Sequence, residues 1–266
     1  AGRSVSPTPL GKPEEIKGIS FCISTNGKEI TKTKIEINSI RKTMSEANIP
    51  YEIIIAGDTT SFENDDKLLL VHTPEDAHGG LLAKLRNNAA EKAQYDVIVF
   101  ADDDLIFSQK WASRLISFSK KERWSVLGNR VLLPDGGRYW DRATINPHKL
   151  IDYDTEVPFG TLYQSGCFWV IRKAVYNEEK WDSTIEFYAE RNGKLNEDVE
   201  YSLRLQNKGY AISFDKENLV WHNDDNYVEL KDYSLTVKKE IAAKRLGISE
   251  FPKTTKHFQN AIGRCG

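Results

Sequence analysis

Three carboxylates stand in a row at Asp102, Asp103 and Asp104, directly after the apolar run Val97–Ala101. One charge would close that run equally well, and three adjacent aspartates repel one another. Asp102 and Asp104 fall on the same side of an extended chain, so their oxygens can converge on one divalent cation. Hard carboxylate oxygens favour Mg²⁺ or Mn²⁺, which complete their shells with phosphates and water. Taken alone, the DxD spacing fits a solvated acidic turn as well. Asn196-Glu197-Asp198 opens a helical pattern, where free N–H groups and the helix dipole favour carboxylates. His222, in Trp221-His222-Asn223-Asp224-Asp225, can ligate a metal or sit as a surface histidine. Lys84 and Arg86 follow Gly79-Gly80 on a helix and can grip a diphosphate or form a solvated basic face.

The elements that must position these groups alternate. Ile19–Ser24 is a short buried strand broken by Thr25-Asn26-Gly27, and Ile30, Ile37, Ile40 and Met44 recur at helical spacing across 28–48. Tyr51–Ala56 and Leu68–Val71 are further strands, and a helix runs from Gly79-Gly80 to about Ala93. The strand Asp96–Ala101 then leads into the aspartates. Beyond it, strands are expected at Ser125–Leu133, Gln164–Ile171, Ala211–Phe214 and Leu219–Trp221. A helix is expected at Glu197–Gln206 and a basic amphipathic one at Val228–Leu246. Strands alternating with helices make an α/β fold with a mainly parallel sheet flanked by helices and a mixed second half. In such sheets ligands bind at the carboxyl ends of the strands, where the aspartates lie.

The chain has 266 residues, 37 basic against 39 acidic, a net of −2. That length suits one sizeable core, and the near-neutral charge argues against coating nucleic acid. No apolar run approaches the roughly 18 residues of a membrane span, and Ala1–Lys17 lacks an apolar signal core. Cytoplasmic residence is the expectation. Docking on an anionic membrane or a partner through Lys231, Lys238, Lys239, Lys244 and Arg245 stays open beside an ordinary solvated face. Cys22, Cys167 and Cys265 have neither zinc-site spacing nor disulfide density, and the first two read as core thiols.

Taken in order, the pieces resemble the GT-A fold, specifically glycosyltransferases of family 2 type. ISFCISTNG resembles the family's first strand and nucleotide loop, with Thr25 and Asn26 in the matching places. YEIIIAGDTT resembles its second strand, and Asp58 matches the acidic residue that binds the base. GGLLAKLRNNAAEKAQYDVIVFADDD is similar to the glycine-led helix and the strand leading to DxD. The resemblance implies one domain at 18–225, with a nucleotide-sugar half at 18–107 and an acceptor half at 108–225. A flexible segment at 1–17 and a C-terminal helix and tail at 226–266 would flank it.

The same resemblance implies residue roles. Thr25, Asn26, Asp58, Lys84, Arg86, Asn87, Asp102, Asp103 and Gly166 would bind the nucleotide sugar, and Asp104, Asp102 and His222 would hold Mn²⁺ or Mg²⁺. NEDVEYSLRLQNKGY resembles the family's Glu-Asp motif, making Asp198 the base and Glu197 an orienting group. Tyr139, Trp140 and Trp181 are acceptor candidates, with Tyr153, Phe159 and Phe187 nearby, because aromatic faces stack on sugar rings. The implied reaction moves a sugar from a UDP- or GDP-type donor to a hydroxyl of a glycan, lipid-linked or protein acceptor, with inversion. Retaining transfer and a non-catalytic carbohydrate- or nucleotide-binding protein remain alternatives. Aspartyl phosphotransferases fall behind, because Ile106 stands where they need a hydroxyl. Nucleotidyltransferases fall behind because STNGKE replaces their glycine- and basic-rich loop.

Overall fold

The computed structural model describes residues 12–147, 149–185 and 196–223. Strand β1 (Ile19–Thr25) is buried along its whole length and pairs in parallel with β2 (Tyr51–Gly57) and β4 (Val97–Asp102). Its alternation explains this. Ile19, Phe21 and Ile23 enter one apolar cluster, while Cys22 enters another on the opposite face. A strand covered on both faces needs apolar residues at every step.

Helices α1 (Ile30–Ala47) and α4 (Trp111–Ser119) cover the first face through Ile37, Ile40, Met44, Trp111 and Leu115. The second is covered by α3 (Leu82–Ala90), α5 (Lys173–Glu178) and α6 (Glu197–Asn207), through Ala83, Ala89, Tyr176, Tyr201 and Leu205. With β3 (Leu68–His72), β5 (Leu105–Phe107), β6 (Val126–Leu132), β10 (Phe168–Arg172) and β11 (Ile212–His222), the eight-stranded sheet has the order β3-β2-β1-β4-β10-β6-β11-β5. The chain builds leftward from β1 to β3 and then returns to place β4 on the other side of β1. That reversal opens a crevice beyond the carboxyl ends of β1 and β4. β10 runs antiparallel to both β4 and β6, which is the mixed second half expected from the sequence.

The two strands expected at Ala211–Phe214 and Leu219–Trp221 are one strand, β11, whose register shifts between Asp215 and Leu219. The polar stretch Lys216-Glu217-Asn218 forms the bulge. There the Glu217 N–H donates to Asp215 (3.1 Å) and the Asn218 amide to the Trp111 carbonyl (3.0 Å). The continuation pairs His222 with Leu105 and so brings the strand's end to the aspartates. The strand expected from Gln164 begins only at Phe168, because residues 164–167 form a buried turn.

The short helix α2 (Pro74–His78), together with α4, β5 and a small sheet of β7 (Ala143–Thr144), β8 (Lys149–Leu150) and β9 (Leu162–Tyr163), was not anticipated. Most of these are too short for periodicity to register. Besides its apolar face, α1 buries Thr33, Glu36, Ser39 and Thr43. Ser39 Oγ accepts the Phe107 N–H (3.0 Å), and Thr43 Oγ1 accepts the Ala112 N–H (2.9 Å). The second bond satisfies a donor that the start of α4 leaves without a helical partner. These contacts fix β5, and with it the turn of aspartates just before.

Within the segment expected to be flexible, the Glu14 carbonyl accepts from Arg172 (2.7 Å) and Ile16 is buried. Among the described residues, no helix is long and apolar enough to cross a membrane. Residues 224–266, with the basic helix expected at Val228–Leu246, and Phe187 lie outside the described residues.

Candidate active site

The crevice holds a cleft of about 370 Å³ lined by Ser24, Thr25, Asn26, Lys28, His78, Gly80, Asp102, Asp103, Asp104 and His222, among others. β1 delivers Thr25 to it, β4 delivers Asp102, and the turn into β5 carries Asp103 and Asp104. Thr25 Oγ1 donates to Asp103 Oδ2 (2.5 Å) and accepts the Gly27 N–H (3.1 Å). Asn26 accepts the Lys28 N–H (2.9 Å), an Asx turn that shapes the loop after β1. Gly57, at φ +129°, ends β2 so close to β1 that a Cβ there would lie 1.9 Å from the Thr25 carbonyl oxygen.

The aspartates strain against one another. Burial first, then Asp104 and Asp102, push the Asp103 carboxyl up to about 7 despite its bond from Thr25. Behind the turn, Glu36 is fully buried on α1, and burial together with Asp103 and Asp104 raises it well above the usual carboxylate range. Asp104 Oδ1 stands 3.6 Å from His222 Nε2, and the Asn223 N–H donates to the Asp104 carbonyl (2.7 Å). Asp102 Oδ1 lies 3.4 Å from Arg86 Nη2. Among the described residues no set of three or more His, Cys, Asp or Glu side chains is grouped to hold a metal. Asp104 and His222 are together, while Asp102 faces the arginine. Carboxylate oxygens beside one imidazole form a donor set that suits Mn²⁺ or Mg²⁺.

The second acidic group surrounds Arg86. This residue is 1% exposed, and Nη1 donates to Glu197 Oε1 (2.9 Å) while Nη2 donates to the Gly166 carbonyl (2.9 Å). Its guanidinium lies 4.6 Å from the Trp181 ring centre. Burial disfavours its charge, but Glu197 and Asp102 outweigh that and hold its pKa above the ordinary value. Asp198 is pushed up to about 6 by burial and by Glu197. Donation to its Oδ2 from the Tyr163 hydroxyl (2.7 Å) and the Gly166 N–H (2.9 Å) restrains the rise. Gly166 has no room for a side chain. A Cβ would lie 2.9 Å from Arg86 Nη2, 3.1 Å from Glu197 Oε1 and 3.2 Å from Asp198 Oδ2.

A model of the family described as Glycosyl transferase family 2 matches residues 37–179, just over half of the chain. The chain belongs to that family. Among solved structures, it is similar to a crystal structure of GalNAc-T7 with UDP, GalNAc and Mn²⁺. There the TM-score is 0.57 and identity 14%, covering 87% of this chain and 48% of that one. It is also similar to S. aureus TarS 1–349, with a TM-score of 0.51 and 14% identity over 94% of this chain and 78% of that one. The chain thus spans about half the length of the GalNAc-T7 chain, and at these identities the likeness speaks for the shared GT-A fold. No curated protein matches the chain.

The family match takes in Asp58, Arg86, the aspartate turn and Gly166, and ends before Glu197, Asp198 and His222. For those three, geometry alone supplies the link. Asp58 sits at the end of β2, where the Thr60 hydroxyl (2.6 Å), the Thr60 N–H (3.3 Å) and His78 Nε2 (3.2 Å) hold it below the usual carboxylate range. Other family-matched residues point elsewhere. Lys84 pairs with Asp76 on α2 (2.7 Å), and the Asn87 carboxamide joins Trp181, Ser183 and Tyr176. Trp181 is buried 4.0 Å from the Tyr201 ring and backs Arg86. Trp140, at φ +29°, packs beside Tyr163 and Val199, while Tyr139 stacks on His222. Sequence reasoning missed His78, Tyr163 and Glu36. No spacing marks His78 or Tyr163, and Glu36 lies beside the apolar positions that define α1 without any signal that it is buried.

Proposed function

We propose that the chain is a metal-dependent, inverting glycosyltransferase that moves a sugar from a nucleotide-diphosphate sugar to an acceptor hydroxyl. One observation carries the reading: Arg86 links Glu197, Gly166 and Asp102. A carboxylate pair and a cation-seeking turn thereby share one edge of the sheet. Family membership and the GT-A fold support the reaction class. The Mn²⁺ and UDP named in the GalNAc-T7 structure support the cofactor and the donor type.

Asp104 and His222, with Asp102, would hold Mn²⁺ or Mg²⁺, which when bound offsets charge on a departing diphosphate. The chain's own residues do the rest. Thr25, Asn26 and Asp58 line the nucleotide side, with Asp58 kept ionised by Thr60 and His78 to accept a base N–H. Asp198 takes the proton of the acceptor hydroxyl. Burial raises it toward the working pH, and its three donors, with the Val199 N–H on Oδ1 (2.8 Å), keep it aimed. Glu197, held by Arg86, orients the donor sugar near Gly166, where the missing side chain lets Arg86 and both carboxylates close in.

Nucleotide release from a panel of UDP- and GDP-sugars with Mn²⁺ tests the proposal. Wild type should release nucleotide, Asp104→Ala should lose metal-dependent donor binding, and Asp198→Asn should bind donor without transfer. Near-normal turnover by Asp198→Asn would remove the assigned base. Donor binding without release across the panel would leave a binding protein.

A further inference from the structure

The Tyr139 ring lies parallel to the His222 imidazole, with centres 4.1 Å apart and planes 25° apart. His222 arrives from β11 and Asp104 from the turn before β5, and they meet with Nε2 3.6 Å from Oδ1. Tyr139 comes from a third direction. After β6 the chain folds back on itself, with the Leu133 N–H donating to Gly137 (2.8 Å) and the Tyr139 N–H to Val131 (2.9 Å). Buried Asp141 locks that return. It accepts from the Val131 N–H (3.2 Å), from Arg138 Nε (3.0 Å) and Nη2 (2.6 Å), and from the Tyr153 hydroxyl (2.7 Å). Tyr139 is therefore a fixed wall, which also packs against the main core cluster. Burial, then Cys167, Asp102, Asp104 and Asp198, push its hydroxyl pKa up, so it adds no charge among the acids.

We propose that Tyr139 is a positioning residue whose flat ring holds the His222 imidazole with Nε2 toward Asp104. This rests on the reading of Asp104 and His222 as metal ligands. The ring does this work and the hydroxyl does not, so Tyr139→Phe should behave as wild type. Tyr139→Leu keeps apolar bulk but loses the flat face. An outer partner that orients a metal-ligating histidine typically contributes about 10- to 100-fold in metal affinity.

The test uses the full chain with histidine labelled at Cε1, the His222 signal being assigned by its loss in His222→Ala. In metal-free protein that signal should carry a ring-current shift in wild type and Tyr139→Phe and lose it in Tyr139→Leu. Titration with Mn²⁺ alone should broaden it, with binding about 10- to 100-fold weaker in Tyr139→Leu and unchanged in Tyr139→Phe. In a His222→Ala background, Tyr139→Leu should have no further effect on Mn²⁺ affinity. Equal Mn²⁺ affinity for wild type and Tyr139→Leu, with His222 still broadened, overturns the positioning role alone. Absence of broadening in wild type overturns the metal reading at His222, and the positioning role with it.

Discussion

Asp102–Asp104 and Glu197-Asp198 lie on either side of Arg86 at one sheet edge, yet their surroundings differ in kind. A guanidinium, a tyrosine hydroxyl and two backbone N–H groups donate to oxygens of the pair, while the buried Glu197 Oε2 accepts from none of the described residues. At the turn a threonine hydroxyl donates to Asp103, Arg86 reaches Asp102, and Asp104 stands beside the His222 imidazole. Burying a carboxylate costs several kcal/mol unless donors replace water. A pair supplied with donors from its own chain is set to act as it stands. A turn that crowds three carboxylates beside an imidazole is where the proposed cation would sit.

Removing the shared cation should break the contrast most sharply. Arg86→Met leaves Glu197 and Asp198 buried without their counter-charge, a change worth about 3–5 kcal/mol for a buried pair. Urea unfolding should show that loss, and adding Glu197→Gln should restore part of it. Equal stability of wild type and Arg86→Met would mean that the pair does not depend on the arginine. Gly166→Ala comes next, at about 1–3 kcal/mol for an overpacked buried site. Its methyl group meets Arg86 and both carboxylates, and Arg86 is pinned by its own bonds. Turnover should fall with stability, and an unchanged melting temperature would show that the cradle yields.

A smaller effect separates the turn from the pair by pH. The Asp103 carboxyl stands at about 7 in the folded chain, above the usual carboxylate value, so the folded state holds its proton more tightly than the unfolded one. Its cost is therefore absent at about pH 4, grows between about 4 and 7, and is complete above 7. With a chelator present, Asp103→Asn should gain on the order of 1 kcal/mol over wild type at pH 8. Solvent screening at the part-exposed turn reduces it below the full shift. The gain should vanish near pH 4 and shrink with Mn²⁺. A constant difference across pH would mean that Asp103 does not titrate there.

The two clusters were unequally legible in the sequence. A strand as apolar as VIVFA ending in three aspartates announces itself, because packing asks for nothing of the kind. Arg86 stands out from the helix that carries it, but its bond to Glu197 crosses 111 residues and no local pattern encodes it. Lys216-Glu217-Asn218 hid the continuity of β11, since a bulge interrupts alternation without ending pairing. The spacing of Ile37, Ile40 and Met44 found α1's apolar face. The buried stripe of Thr33, Glu36, Ser39 and Thr43 escaped, because a serine that caps a neighbouring strand and one that faces water are the same letter. Of the aromatic residues read as acceptor candidates, the fold sets Trp181 behind Arg86 and Tyr139 against His222, placements that no local spacing encodes.

A last test concerns how finely the carboxylate pair is tuned. Tyr163 donates to Asp198 Oδ2, a bond that favours the ionised carboxylate, while burial and Glu197 favour the protonated one. Tyr163→Phe removes the favourable contact and leaves the packing of the ring in place. The Asp198 pKa should therefore rise from about 6, and the acid limb of the rate profile should move to higher pH. A hydrogen bond to a charged group contributes about 1.5–3 kcal/mol, which makes the loss below pH 6 roughly tenfold or more and small once the pH is well above the raised pKa. The same substitution should leave Mn²⁺ affinity untouched, because Tyr163 contacts Asp198 whereas the proposed ligands of the ion are Asp104, His222 and Asp102. A limb that stays in place would assign the proton acceptor to another group, and a limb that moves together with Mn²⁺ affinity would mean that the two clusters act as one.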